Sequence, residues 1–107
     1  MINVAVDRNM WYRGKGLKES KLLHPDGQKC IVGFLGIKLG ACEEDLLGID
    51  ALVEVGVKNI ERFNDTHDEV LTEAYIMNDD KNITEAVREA QLIIIGQKMN
   101  VNFSFIN

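Results

Sequence analysis

Three stretches hold side chains whose types could do chemistry: Cys30 with His24 and His67, the basic run RGKGLKESK at 13–21, and NDDKN at 78–82. A cysteine at the start of a helix can have its thiol pKa lowered and act as a nucleophile, with a histidine as base. Cys30 heads the apolar run CIVGFLGIKLGA, so the sequence permits that arrangement. Against it, no Asn or Asp is obviously placed to orient either histidine, and a chain of 107 residues has little room for a cleft. Cysteine is also among the residue types most often buried. The expected role of Cys30 is structural.

NDDKN offers several oxygens, but a calcium loop needs D-x-D-x-D-G spacing and a bidentate acid further on, which are missing. The run sits between two helical patterns, so capping explains it: Asn78 for the first helix, Asp80 or Asn82 for the second. The basic run lacks the G-x-x-x-x-G-K-[ST] spacing that wraps backbone N–H groups around a phosphate. A nucleic-acid site would want aromatics interleaved with the cations. Trp11 and Tyr12 are adjacent and point apart in an extended chain. Trp11 is therefore expected to be a buried anchor beneath the apolar run at 30–40. Arg13 and Lys15 would then reach solvent, or Arg13 would pair with an acid of the other half, and Gly14 and Gly16 would let the loop turn away. An anion site built from Trp11, Arg13, Lys15, Lys18 and Lys21 is the alternative. No Cys/His spacing suggests zinc, and no metal or cofactor is expected.

The elements that must position these residues follow from periodicity. INVAV at 2–6 alternates as a half-buried strand, and VNFSFI at 101–106 alternates as a second. KLL at 21–23 reads as a short third strand, closed by the turn HPDG. Residues 29–41 read as a short buried helix with Gly40 as its C-terminal stop. Gly33 and Gly36 lower its propensity by roughly 1 kcal/mol each, so another backbone should pack against that small face. CEEDLLGI at 42–49 begins a further helical turn, with acids where the helix dipole favours them. ALVEVGV at 51–57 reads as a strand or as an irregular cover over the core.

DEVLTEAYIM at 68–77 has helical spacing. Asn82 with Glu85 looks like a capping pair for a last helix, which runs to about Met99 and ends at a left-handed Asn100. LIII at 92–95 puts apolar residues on every side of that helix, which favours full burial, with a homodimer face as the other reading. The fold class is α+β: a single small domain in which the terminal strands and a short third strand form a small sheet packed against three or more helices. No apolar run reaches the roughly 18 residues that span a bilayer, and the start lacks a secretion pattern, so the expected location is the cytoplasm.

Charge is uneven. Residues 1–40 hold seven basic groups against three acids, and residues 41–107 hold five against fourteen, for a net of −5. An acidic protein is repelled by nucleic acid unless its basic part forms a separate patch. The expected partner is instead a protein, met by Glu43, Glu44, Asp45, Glu69, Glu73, Asp79 and Asp80.

Taken together, W-x-R-G-x-G (Trp11, Arg13, Gly14, Gly16), Ser20-x-Leu22-Leu23, Asp26-Gly27, Cys30-x-x-Gly33-Phe34-Leu35, Asn78-Asp79-Asp80 and Arg88-Glu89 form a pattern. It resembles a group of small bacteriophage and prophage proteins whose sequences read W-x-R-G-x-G, S-Y-L-L, D-G-K-M-C-C-L-G-F-L, I-N-D-D, E-R-E and V-E-F-V. The resemblance covers both ends of the chain and skips about residues 43–70. It implies a phage or mobile-element origin in a bacterial host, and it carries no mechanism. Where those proteins often have further cysteines, this chain has Ile31 and Leu39, which argues against a thiol cluster. Among host proteins, a nuclease or other defence factor with a basic channel would suit an acidic inhibitor of the anti-CRISPR type.

Overall fold

The first and last segments of the chain pair with each other. In the computed structural model, which describes residues 1–107, β1 (Ile2–Asp7) and β2 (Val101–Ile106) form a two-stranded parallel sheet. Its register runs from Ile2↔Val101 to Asp7↔Ile106. Side chains alternate across a strand, so Val4, Val6, Val101 and Phe103 are buried on one face, while Asn3, Ala5, Asn102 and Ser104 are exposed on the other. Parallel strands need a long crossover, and here it contains α1 (Ile31–Lys38), α2 (Glu43–Leu46), α3 (Lys58–Asp79) and α4 (Glu85–Gln97). α1 packs on β1, α4 on β2, and α3 on both α1 and α4. One core of 22 buried apolar residues joins them, and the class is α+β as expected. No helix is long and apolar enough to cross a membrane.

α1 lies inside the 29–41 range read from the sequence, and its glycines do what their cost implied. A Cβ on Gly33 would sit 1.9 Å from the carbonyl oxygen of Leu22, so the chain at 22 crosses directly over the helix. Gly36 instead meets side chains, those of Leu46 and Leu52, at 3.3–3.4 Å. That crossing also corrects the third strand. Leu22 and Leu23 make their backbone bonds to Ile49 and Gly48, an isolated bridge rather than a ladder, and the sheet stops at two strands. The strand reading of 51–57 fails as well: Leu52–Glu54 is a 3₁₀ turn that pins Leu52 and Val55 into the core.

α3 is 22 residues long and starts ten residues before the expected 68. Residues 58–66 contain only two apolar side chains, Ile60 and Phe63, among Asn, Asp and Thr, which are poor helix formers. Both are nonetheless on the buried side, in phase with Leu71 and Ala74. The helix bends at His67 (φ −124, ψ 19), whose ring lies 4.6 Å from that of Phe63.

α4 is capped by Thr84 rather than Asn82: the Val87 N–H donates to Thr84 Oγ1 at 3.2 Å. Asn82 lies two residues upstream of that cap, in the tight turn leaving α3, where its N–H donates to Asp80 Oδ1 (2.8 Å). Asn100 ends the segment with φ 58, as its type suggested. Burial around α4 is partial. Leu92 and Ile95 enter the core, Ile93 is half-buried, and Ile94 stands half in solvent. The expectation of full burial is corrected accordingly.

Candidate functional site

The residues with chemical potential near the N-terminus converge on the end of α3. Asn78, in its last turn, is fully buried. Its Oδ1 accepts from the Trp11 indole N–H (2.7 Å) and from the Ile31 backbone N–H (2.9 Å). Its Nδ2 donates to the Tyr12 carbonyl (3.0 Å) and to Asp79 Oδ1 (2.8 Å). The amide thus uses both acceptor positions and both donors, the most its chemistry allows. The backbone extends the joint: the N–H groups of Gly14 and Gly16 donate to the carbonyls of Asn78 and Asp79, each at 2.8 Å. Through these bonds one side chain fixes the N-terminal loop, the start of α1 and the end of α3.

Arg88 completes this clasp from α4. Its side chain is 2% exposed, and Nη1 donates to the carbonyls of Met77 and Asn78 at 2.9 and 3.0 Å. Those are last-turn carbonyls of α3, where the helix dipole favours a cation. Gly14 has φ +70, and a Cβ there would lie 2.8 Å from Arg88 Nη2, so the guanidinium depends on that glycine. Glu85 bridges two arginines, accepting from Arg13 Nε at 2.6 Å and Arg88 Nε at 3.2 Å. Partial burial pushes its carboxyl pKa up, but the bonds and charges of Arg13 and Arg88 outweigh this and leave it below the ordinary value. Arg13 also lies over the Trp11 ring at 4.6 Å and donates to the carbonyls of Arg8 and Trp11. Arg8 grips Glu89 through two bonds of 2.7–2.8 Å.

Asp79 follows a different course. Burial pushes its carboxyl pKa up, only partly countered by bonds from Asn78 and Ser20 and by the charge of Arg88. No buried side-chain polar atom in the molecule lacks a partner. The clasp is therefore saturated, and its chemistry is to hold the chain together.

Trp11 is the anchor its type implied: buried, 4.9 Å from the Phe105 ring, and flanked by backbone bonds between Met10, Tyr12 and Lys29. An indole in that position has no face for a base or nucleotide. Of the other cations in the 11–21 stretch, Arg13 is spent on Glu85, and Lys21 is paired with Asp50. Lys15 lies over the Tyr12 ring, and Lys18 faces solvent beside a groove of about 540 Å³ that Asp50 and Asp79 also line. That groove is mixed in sign, not a cationic funnel. Cys30 is buried and its thiol is pushed up to about 12, chiefly by desolvation, with backbone N–H groups pulling it down only in part. The His24 ring stacks on Tyr12 at 4.1 Å and accepts from the Lys21 N–H, so it faces the loop rather than the thiol.

The acidic residues divide. Asp79 is buried in the clasp, and Asp80, partly exposed, accepts from the Asn82 N–H with one oxygen. Glu43, Glu44 and Asp45 are exposed in α2, with Asp45 also accepting from the Cys42 N–H at 2.8 Å. Glu69 and Glu73 are exposed on α3, and Glu73 pairs with Lys98 at 2.9 Å. Two acids missed at the sequence level extend them. Glu61, Asp65, Glu69 and Glu73 recur every fourth residue, all exposed, and so share one side of α3. The signal that would have found them is the phase of Ile60 and Phe63 with Leu71 and Ala74. At the bend, Asp65, Asp68 and Glu69 border a shallow groove of about 340 Å³ around His67. No grouping of three or more His, Cys, Asp or Glu side chains is arranged to hold a metal ion.

Compared with known proteins, the chain matches no family model, no curated protein and no solved structure.

Proposed function

We propose that this chain is a non-enzymatic accessory protein of phage or prophage origin that binds a basic surface on a host protein through the acidic side of α3, assisted by the acids of α2. The observation that carries this reading is the ladder Glu61, Asp65, Glu69, Glu73. Like charges four apart on a helix destabilise it by about 0.2–0.5 kcal/mol per pair, and only Glu73 is answered by a cation. Between residues 43 and 73 ten acids face two bases, Lys58 and Arg62. Of the ten, only Asp50 and Glu73 are ion-paired, both with lysines from outside the segment. Meanwhile Arg8, Arg13 and Arg88 are consumed inside the clasp. The two halves of the chain thus leave the negative field of α2 and α3 largely uncancelled, and such a field steers and orients a cationic partner.

A nuclease or another nucleic-acid-binding defence factor, whose channel is cationic, has the matching chemistry. The test is affinity capture from host lysate with and without nuclease treatment, repeated with Glu61, Asp65 and Glu69 all changed to lysine. One host protein retained after nuclease and lost with the lysine variant supports the proposal. Capture that persists with the variant ends it. Capture that vanishes with nuclease assigns the binding to nucleic acid and overturns the proposal as well.

A further inference from the structure

The sheet is unequal at its two edges, and this bears on a second surface, independent of the acidic side of α3. In a parallel pair each residue directs both backbone groups to one side. The Ile2 N–H donates to the Asn100 carbonyl, and with the observed register Ile2, Val4 and Val6 point at β2. Asn3 and Ala5 therefore point their N–H and C=O groups away from the sheet. None of these four groups has a backbone or side-chain partner in the molecule. At the far edge of β2, by contrast, Gly96 of α4 comes so near that a Cβ there would lie 2.8 Å from the Val101 carbonyl oxygen.

Beside the open edge runs a groove of about 460 Å³ between β1 and α1. Its floor is apolar, from Phe34 and Ile37, and Lys29 and Lys38 stand along it. Neither lysine is in an ion pair; Lys29 rests over the Phe34 ring at 5.3 Å. We infer that this groove takes an extended, acidic segment of a partner protein as a third strand beside β1. The four free backbone groups of Asn3 and Ala5 supply the ladder, Phe34 and Ile37 receive an apolar side chain, and Lys29 and Lys38 meet carboxylates. Charge decides among occupants. A second copy pairing β1 with β1 would bring two sets of these lysines together at one edge, which like-charge repulsion disfavours.

Short random peptides displayed on a surface provide the probe, selected against the folded chain. Selected sequences should alternate carboxylates with β-branched or aromatic residues. Two variants read the mode of binding. Ala5→Pro removes an N–H that faces away from β2, where an edge strand tolerates proline, and Lys29→Glu with Lys38→Glu reverses the charge. Each should weaken the selected peptides at least ~10-fold while thermal melting stays close to that of the parent. If Ala5→Pro melts early, methylation of the Ala5 peptide nitrogen by semisynthesis makes the same deletion without the ring. Peptides that bind parent and variants alike, basic or helical selected sequences, or no selection at all would overturn the inference. So would a concentration-dependent dimer dissolved by Ala5→Pro, which would give the edge to a second copy.

Discussion

The clasp around Asn78 and the middle of α3 are both crowded with polar side chains, and they use them in opposite ways. In the clasp, Trp11, Tyr12, Arg13, Asn78, Asp79, Glu85 and Arg88 answer one another at hydrogen-bond distance, largely out of water. From Glu61 to Glu73 five carboxylates stand in solvent, and one has a cation opposite it. Buried networks stabilise when every member is satisfied, whereas exposed charges contribute little in either direction. Trp11, Arg13, Gly14, Gly16, Asn78, Asp79 and Arg88, all residues of the motifs read from the sequence, lie in the clasp. Those residues hold the chain together, and the surface proposed for recognition lies outside them.

Changing Asn78 to alanine should break the contrast at its root. It leaves the indole N–H of Trp11, the N–H of Ile31 and the carbonyl of Tyr12 without that partner, at about 1–3 kcal/mol for each group left unsatisfied. A loss of roughly 4 kcal/mol in urea unfolding is expected, against about 5–15 kcal/mol for a typical domain. A loss below ~1 kcal/mol would mean that water replaces the amide, and that the clasp is no tighter than the surface. Gly33→Ala probes the same closeness one element away. A Cβ 1.9 Å from a backbone oxygen forces α1 off the chain at Leu22, and a loss of about 1–3 kcal/mol or more should appear as a lower melting temperature.

Asp79→Asn sharpens the contrast through pH. Because the folded carboxyl has a raised pKa, its stabilising contribution is complete when it is protonated and is lost as pH rises through the folded pKa. The asparagine variant should thus be the more stable at neutral pH. Its advantage should shrink as pH falls through that pKa towards the ordinary aspartate range. A gap that widens in acid would show that the carboxylate itself is favoured there. The smallest effect on stability belongs to the ladder. Lysines at 61, 65 and 69 should shift unfolding by no more than ~0.5 kcal/mol, since two of the three like-charge pairs persist with reversed sign and only the 69/73 pair turns attractive. A destabilisation of several times that size would move these acids from the recognition surface into the fold.

What was legible in the sequence follows the range of the interactions. The alternation in INVAV and VNFSFI and the glycines at 33 and 40 are local signals, and each named its element. The type of Trp11 implies an anchor, which is what it is, and of the two uses open to Arg13, solvent or an acid of the other half, the second is observed. Asn78 was read as a cap because a helix end offers a local use for it. Except for Asp79, its partners lie 47 to 67 residues away, and no spacing rule reaches them. The first half of α3 was missed for a related reason: Asn59, Asn64, Asp65 and Thr66 oppose a helix locally, and Ile60 and Phe63 form it only by finding the core. Lys21–Leu23 has the composition of a strand, yet Gly33 draws it across α1 and away from the sheet.

The parallel pairing of β1 with β2 also sets a clock on biosynthesis. Ile2 must wait for Val101, which the ribosome adds 99 residues later. At about 5–20 residues per second that is roughly 5–20 s during which β1 exists without its strand partner. Helical segments can form as they emerge, but the sheet closes only afterwards and draws the two most distant parts of the nascent chain into register. Sheet formation is thereby tied to the synthesis of β2, and a ribosome that stalls before Val101 leaves an apolar strand with neither edge paired.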